Sequence, residues 1–216
     1  MKLVFLHGLG QDAHSWQSVQ DALSPLPSDS FAIFSYPSES YQEAKERLTE
    51  CLQQESEPFI LVGLSLGGVL ALELSSQDLP HLKGLVLSGT QYKLKTNFLY
   101  RLQILLFRLL PKQVFEKQGA NKQHMLQILT ELKSLNLTNT AKTCQLPSLV
   151  ISGSKDWANQ ASSKKLANLL PKGHYLEIVD GGHTLNTQKP NELAQAIKEF
   201  VGEFKNEEAS LKNSSS

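Results

Sequence analysis

Short runs of apolar residues alternate with longer stretches of mixed polarity along most of this chain. The runs Lys2–Leu6, Phe31–Tyr36, Phe59–Leu64, Leu82–Ser88, Ser148–Ser152 and Tyr175–Val179 are almost continuously hydrophobic, as parallel strands covered on both faces are. Between them, Ser15–Leu23, Tyr41–Glu55, Leu66–Ser76, Ala161–Leu170 and Asn191–Phe204 are predicted helices. In the last, Leu193, Ala196, Ile197, Phe200 and Val201 recur at helical spacing and mark one buried face. Repeated strand–helix–strand units predict the α/β class, with a mostly parallel sheet flanked by helices.

One stretch breaks the rhythm. From Gln91 to Thr143 the pattern predicts two or three helices and no strand. Phe98–Leu110 is apolar around most of its circumference and stops at Pro111. Thirteen residues with two arginines are too few to span a bilayer, so such a helix must lie against something. The sheet domain, a ligand pocket, a partner and a lipid surface are the options. The polar tail from Asn206 to Ser216 is expected to fray. The organisation read from these patterns is a core of residues 1–90 and 144–206, a helical insertion over 91–143 and a flexible tail over 207–216.

Composition narrows the function classes. A chain of 216 residues with 40% hydrophobic and 19% charged residues suits one globular domain with a substantial core. Lysine plus arginine equal aspartate plus glutamate at 21 each, which argues against a nucleic-acid-binding surface. The balance is uneven, however. Residues 91–146 hold nine basic and two acidic side chains, a surplus of +7, and the remainder carries −7. Such a local field suits an anionic substrate or surface, or is simply a solvated, lysine-rich face. The two cysteines, Cys51 and Cys144, form neither a disulfide framework nor a metal-ligand spacing, so a reducing, cytoplasmic setting is expected. The apolar run at the N-terminus ends at His7, too short for a secretory signal core, and no integral membrane segment is predicted.

The residues that carry chemistry begin with Gly63-Leu64-Ser65-Leu66-Gly67-Gly68, set between a predicted strand and a predicted helix. A sharp turn there forces the serine into a strained conformation and lifts its hydroxyl clear of the backbone. The flanking glycines permit close helix–strand packing, and the new helix aims N–H groups where negative charge develops. Ser65 is therefore the candidate nucleophile. The backbone N–H groups of Leu66 and of Leu9, in His7-Gly8-Leu9-Gly10, are the candidate oxyanion donors.

A serine needs a base. Of six histidines, only His183 follows a late strand within a glycine-rich loop, Asp180-Gly181-Gly182-His183. The orienting acid belongs in a post-strand loop between serine and histidine, which favours Asp156, with Asp180 as competitor.

Together His7-Gly8-Leu9-Gly10 with Trp16, Gly63-Leu64-Ser65-Leu66-Gly67-Gly68, Asp156 and His183 resemble the α/β-hydrolase superfamily over almost the whole chain. The resemblance implies a short form that starts at the strand before the oxyanion loop, with Gln91–Thr143 as a small helical cap over the active site. It implies substrate only weakly, because one scaffold hosts many chemistries. The leading expectation is a carboxylesterase-like serine hydrolase that cleaves a small-molecule ester through an acyl-enzyme, with no metal or organic cofactor. Phe98, Leu102 and Leu106 of the cap are expected to line the pocket for an acyl chain. Two rivals keep the scaffold: a carbon–carbon hydrolase or pyruvate-eliminating lyase acting on an acidic metabolite, and a non-catalytic ligand-sensing protein.

Overall fold

The computed structural model describes residues 1–36, 38–95, 98–116 and 121–214, without the side chains of 98, 99, 101–103, 116 and 205–214. Chain order runs β1 (Lys2–Leu6), a 3-10 turn (Ala13–Trp16), α1 (Gln17–Leu23), β2 (Ser28–Phe31), α2 (Tyr41–Gln53), β3 (Phe59–Leu64), α3 (Leu66–Leu74) and β4 (Leu82–Ser88). Among the described residues, four helices and a 3-10 turn (Leu132–Ser134) follow without an intervening strand, where two or three helices were expected: α4 (Phe98–Leu109), α5 (Lys112–Glu116), α6 (Lys122–Glu131) and α7 (Thr138–Thr143). The alternation then resumes with β5 (Ser148–Gly153), α8 (Trp157–Leu169), β6 (Gly173–Ile178), α9 (Leu185–Gln188) and α10 (Pro190–Ser214).

The six strands form one sheet in the order β2-β1-β3-β4-β5-β6, and every pairing is parallel. Side chains alternate across a strand, so each face collects its own core. On one face Val4, Leu6, Leu61, Leu85 and Val150 pack against α2, α3 and α8. On the other, Leu3, Phe5, Ile60, Val62 and Ile151 pack against α1, α9 and α10, with the Phe5 and Trp16 rings 4.8 Å apart. Because both faces are covered, the inner strands read as continuous apolar runs, and that is why β1, β3, β4 and β5 were visible in the sequence. Edge strand β6, half-exposed, was found through its apolar residues Tyr175, Leu176 and Ile178. The exception is β2.

The predicted strand Phe31–Tyr36 is replaced by Ser28–Phe31, which pairs with β1 as the sheet's edge. Beyond Phe31 the backbone groups bond to side chains instead of a neighbouring strand. The Ile33 N–H donates to His7 Nε2 at 3.1 Å, and the Ile33 carbonyl accepts from Arg47 at 2.6 Å. Arg47 also pairs with buried Glu39 at 2.8 Å, and a Glu39 carboxylate oxygen accepts from the Ser35 N–H. This polar clamp ends the strand. At the other terminus α10 continues to Ser214, past the point where fraying was expected.

Between β4 and β5 the helical segment is tied down by a Lys93–Asn136 bridge and by the Tyr100 hydroxyl, which donates to the Leu129 carbonyl at 2.7 Å. The inward face of α4 carries Tyr100 and Ile104, one turn apart and both buried.

The tightest packing lies where α3 leaves the sheet. A Cβ on Gly67 would overlap the Leu6 carbonyl oxygen, backbone that cannot step aside. By contrast, Gly202 in α10 has open space where a Cβ would go. We therefore expect Gly67→Ala to lose at least about 2 kcal/mol and Gly202→Ala to gain about 0.5–1 kcal/mol. Urea midpoints read both, and equal effects at the two sites would contradict the packing argument.

Candidate active site

Ligands in open α/β sheets sit at the carboxyl ends of the strands, where the chain order switches direction. Here β1 is flanked by β2 on one side and β3 on the other, so the switch lies between the loops after β1 and β3. Those loops carry Leu9 and Ser65. The loops after β5 and β6, on the same sheet edge, carry Asp156 and His183.

Ser65 caps α3 with φ 54° and ψ −110°, a left-handed conformation costly for a residue with a Cβ. Its own N–H donates to the Ser88 carbonyl at 2.8 Å, which fixes the turn against β4. Leu66 is the first residue of α3, where a helix leaves its N–H without an intrahelical acceptor.

The imidazole of His183 meets the Asp156 carboxylate, Nδ1 to Oδ2, at 2.8 Å. Asp156 is buried, whereas His183 is open enough to meet a ligand. Bonded this way, the ring carries its proton on Nδ1 and leaves the Nε2 lone pair available. Gly89, with φ 55°, lies behind the imidazole; a Cβ there would come within 3.0 Å of the ring. Asp180, the competing acid, is instead exposed and pairs with Lys155 at 2.9 Å, which lowers its carboxyl from the usual range.

The structure adds residues the sequence did not single out. Asn159, one turn into α8, donates from Nδ2 to Asp156 Oδ1 at 2.7 Å, so the two carboxylate oxygens have separate partners. That nitrogen also lies 3.0 Å from His183 Nδ1. Gln91 donates to the Asn159 side-chain oxygen at 2.6 Å and thereby sets which way the amide points. Around Leu9, Gln11 accepts from the Gly8 N–H at 3.1 Å, and buried Asn186 reaches Gln11 at 3.3 Å and the Ser15 carbonyl at 3.1 Å. Spacing gave no warning of these, because asparagines and glutamines are common in loops and only proximity distinguishes them.

A cavity of about 380 Å³ joins the parts. Ser65, His183, Asp156, Leu9, Leu66, Gly89, Gln91 and Asn159 line one side, and Val69, Leu94, Tyr100, Leu129 and Leu132 extend it as an apolar hollow. Burial pushes the Tyr100 phenol well above its usual range, so it stays neutral. Of the three α4 residues expected here, the side chains of Phe98 and Leu102 lie outside the described residues, and Leu106 points outward at 51% exposure. Its place is taken by Tyr100, on the buried face of α4, and by Leu129 of α6 and Leu132 of the turn after it. No group of acidic, histidine or cysteine side chains suited to a metal ion occurs among the described residues.

Residues 3–196 match the alpha/beta hydrolase family. The chain belongs to that family. No curated protein matches it. Among solved structures, this alpha/beta hydrolase is similar to MenH from S. aureus, with a TM-score of 0.79 and 20% identity over 94% of each chain. It is similar to the enol-lactonase from Burkholderia xenovorans LB400 (TM-score 0.78, 16% identity, 93% of this chain and 91% of that one). It is also similar to a thermophilic esterase from Thermogutta terrifontis, with a TM-score of 0.75 and 19% identity over 94% of this chain and 90% of the esterase. At these identities the likeness establishes the fold and leaves the reaction to the site.

His7 illustrates how the loop of this hydrolase is held. Buried, it accepts the Ile33 N–H at Nε2, so the ring proton sits on Nδ1, 2.8 Å from the Gly8 carbonyl. Burial, the main cause, lowers its pKa from the model-peptide value of 6.5. Below that value the unfolded chain takes up a proton that the folded chain refuses, so stability falls as pH drops from about 6.5 through the folded pKa. Chemical unfolding of wild type and His7→Gln across that range is the check. The wild type should lose more stability than the variant on acidification, and parallel curves would refute the assignment.

Proposed function

We propose that this alpha/beta hydrolase is a serine esterase that cleaves a carboxylic ester through an acyl-enzyme. The observation that supports the reading is a shared cavity lined by Ser65, His183, Leu9 and Leu66 and continued by apolar side chains. Ser65 Oγ attacks the ester carbonyl carbon while His183 Nε2 takes its proton. The carbonyl π electrons move to oxygen, and the Leu9 and Leu66 amides stabilise the resulting oxyanion. Collapse of the tetrahedral intermediate breaks the carbon–oxygen bond, and the imidazolium returns its proton to the departing alcohol. Water, deprotonated by the same imidazole, then attacks the acyl carbon, and collapse of this second intermediate breaks the bond to Ser65 Oγ, which takes the proton back from the imidazolium as the acid leaves. Asp156 holds the ring tautomer and stabilises the imidazolium throughout.

The apolar lining from Val69 to Leu132 suits a hydrocarbon acyl group, and a volume near 380 Å³ accommodates a small or medium one. The lining includes no lysine or arginine among the described side chains. That favours a neutral ester over the acidic metabolite of a carbon–carbon hydrolase or lyase, since the basic surplus lies elsewhere. A purely ligand-sensing role would leave the strained Ser65 backbone and the Asp156–His183 pair without use.

Turnover of p-nitrophenyl esters of graded chain length tests the reading. Wild type should exceed Ser65→Ala by at least about 10³-fold, with kcat/KM rising from acetyl to a medium chain. Equal rates for the two proteins would remove it. Asn159 acts in this scheme as a positioning residue. Asn159→Ala should lower kcat about 10-fold with KM little changed. Asn159→Asp, which sets two carboxylates side by side, should be worse than Ala. An unchanged kcat in Asn159→Ala would reduce Asn159 to a structural part.

A further inference from the structure

Helix α4 is greasy on two faces, and the fold covers only one. Tyr100 and Ile104 are buried, and Phe107 is half-buried with its ring against Phe115. On the outer side Leu105, Leu106 and Leu109 are 52%, 51% and 74% exposed, and Leu110 and Val114 continue the patch at 38% and 39%. Five large aliphatic side chains together on one surface exceed the scattered apolar exposure normal for a soluble domain.

Cations are interleaved with them. Arg108 and Lys133 share a small groove of about 140 Å³ with Ile104, Leu105 and Thr130. Lys112 is exposed at the start of α5. Lys122 donates to the Arg108 and Leu110 carbonyls and lies 5.9 Å from the centre of the Phe115 ring, which pins the start of α6 beside the end of α4. Arg108, Lys112, Lys122 and Lys133 thus set four of the nine basic residues of the 91–146 segment around the end of α4 and the start of α5 and α6, and no described lysine or arginine lines the catalytic cavity.

We propose that the outward face of α4, with the Arg108–Lys133 groove, docks on an anionic phospholipid bilayer. Leucines at the centre enter the boundary between headgroups and acyl chains, and the surrounding cations meet lipid phosphates. Charge selects this occupant over a second copy of the chain. Two-fold pairing through this face would set two strongly basic segments against each other within a Debye length. The bilayer supplies the opposite sign across the whole patch. The same helix lines the catalytic cavity through Tyr100 on its inner side, so docking places the cavity's wall against the membrane. No described helix is long and apolar enough to cross a membrane, and the attachment is peripheral.

Co-sedimentation of the full chain with phosphatidylcholine vesicles, with and without phosphatidylglycerol, tests this. Wild type should partition at least about 10-fold more strongly into the anionic vesicles, and high salt should erase the difference. Leu109→Ser should weaken partitioning about 5-fold, and Arg108→Gln with Lys133→Gln about 20-fold, near 5-fold for each cation. Lys83→Gln, an exposed lysine on β4, should change nothing. Unaltered far-ultraviolet circular dichroism and melting temperature certify each variant's fold. Ser65→Ala should bind vesicles as wild type does, so the outcome stands apart from that of the esterase reading. Equal partitioning into neutral and anionic vesicles, or none, overturns the proposal. So does a concentration-dependent dimer that Leu109→Ser dissolves while wild type ignores vesicles, which would assign the face to a second copy.

Discussion

The approach of α3 to the ends of β1 and β3 governs the rest of this molecule. Backbone meets backbone there: a Cβ on Gly63 would overlap the Gly67 carbonyl, and one on Gly67 the Leu6 carbonyl. Only with both positions bare can the chain turn within one residue from strand to helix. That turn holds Ser65 at φ 54° and aims the start of α3 at the cavity. It also brings the Leu9 loop alongside, because Leu6 belongs to the strand that leads into it. A single close contact therefore joins a strained serine, a helix N-terminus and a second loop.

Polar clamps do comparable work around this contact. His7 bonds to Gly8 and Ile33, so one neutral imidazole links the loop after β1 to the chain leaving β2. Gln11 and Asn186 tie the same loop to α9, which follows closely on His183. On the opposite side of the cavity, Gln91 holds Asn159, Asn159 holds Asp156, and Asp156 holds His183. Gln91 opens the helical segment between β4 and β5, so the segment that walls the cavity also contacts the side chain that bonds to Asp156. Each donor in this chain is satisfied by the next, which offsets the cost of burying these polar groups.

Two chemistries of leucine are separated by the same helical segment. Leu94, Leu129 and Leu132 turn inward and line the apolar part of the cavity, whereas Leu105, Leu106 and Leu109 turn outward among cations. Within α4 itself, Tyr100 and Ile104 turn inward and Leu105, Leu106 and Leu109 outward, and nothing in the local sequence distinguishes the two faces. A helix apolar around its circumference has no preferred face until neighbours choose one, which is why Leu106 was expected in the pocket and lies outside it.

Continuous apolar runs fix parallel strands because both faces of such a sheet are buried, so β1, β3, β4 and β5 were legible from the sequence, as was the fold class. The serine turn was legible for a related reason: its geometry tolerates only glycine at fixed offsets. The edge strand β2 was misplaced, since the end of that strand is set by His7, Glu39 and Arg47, residues distant in sequence that capture its backbone groups. The same holds for Asn159, Gln91 and Asn186, ordinary polar residues given their places by proximity. Local sequence determines what the backbone must do within a few residues. Which side chains share a cavity, and which face of a helix meets solvent, is decided by contacts between segments far apart along the chain, and only the folded molecule contains those.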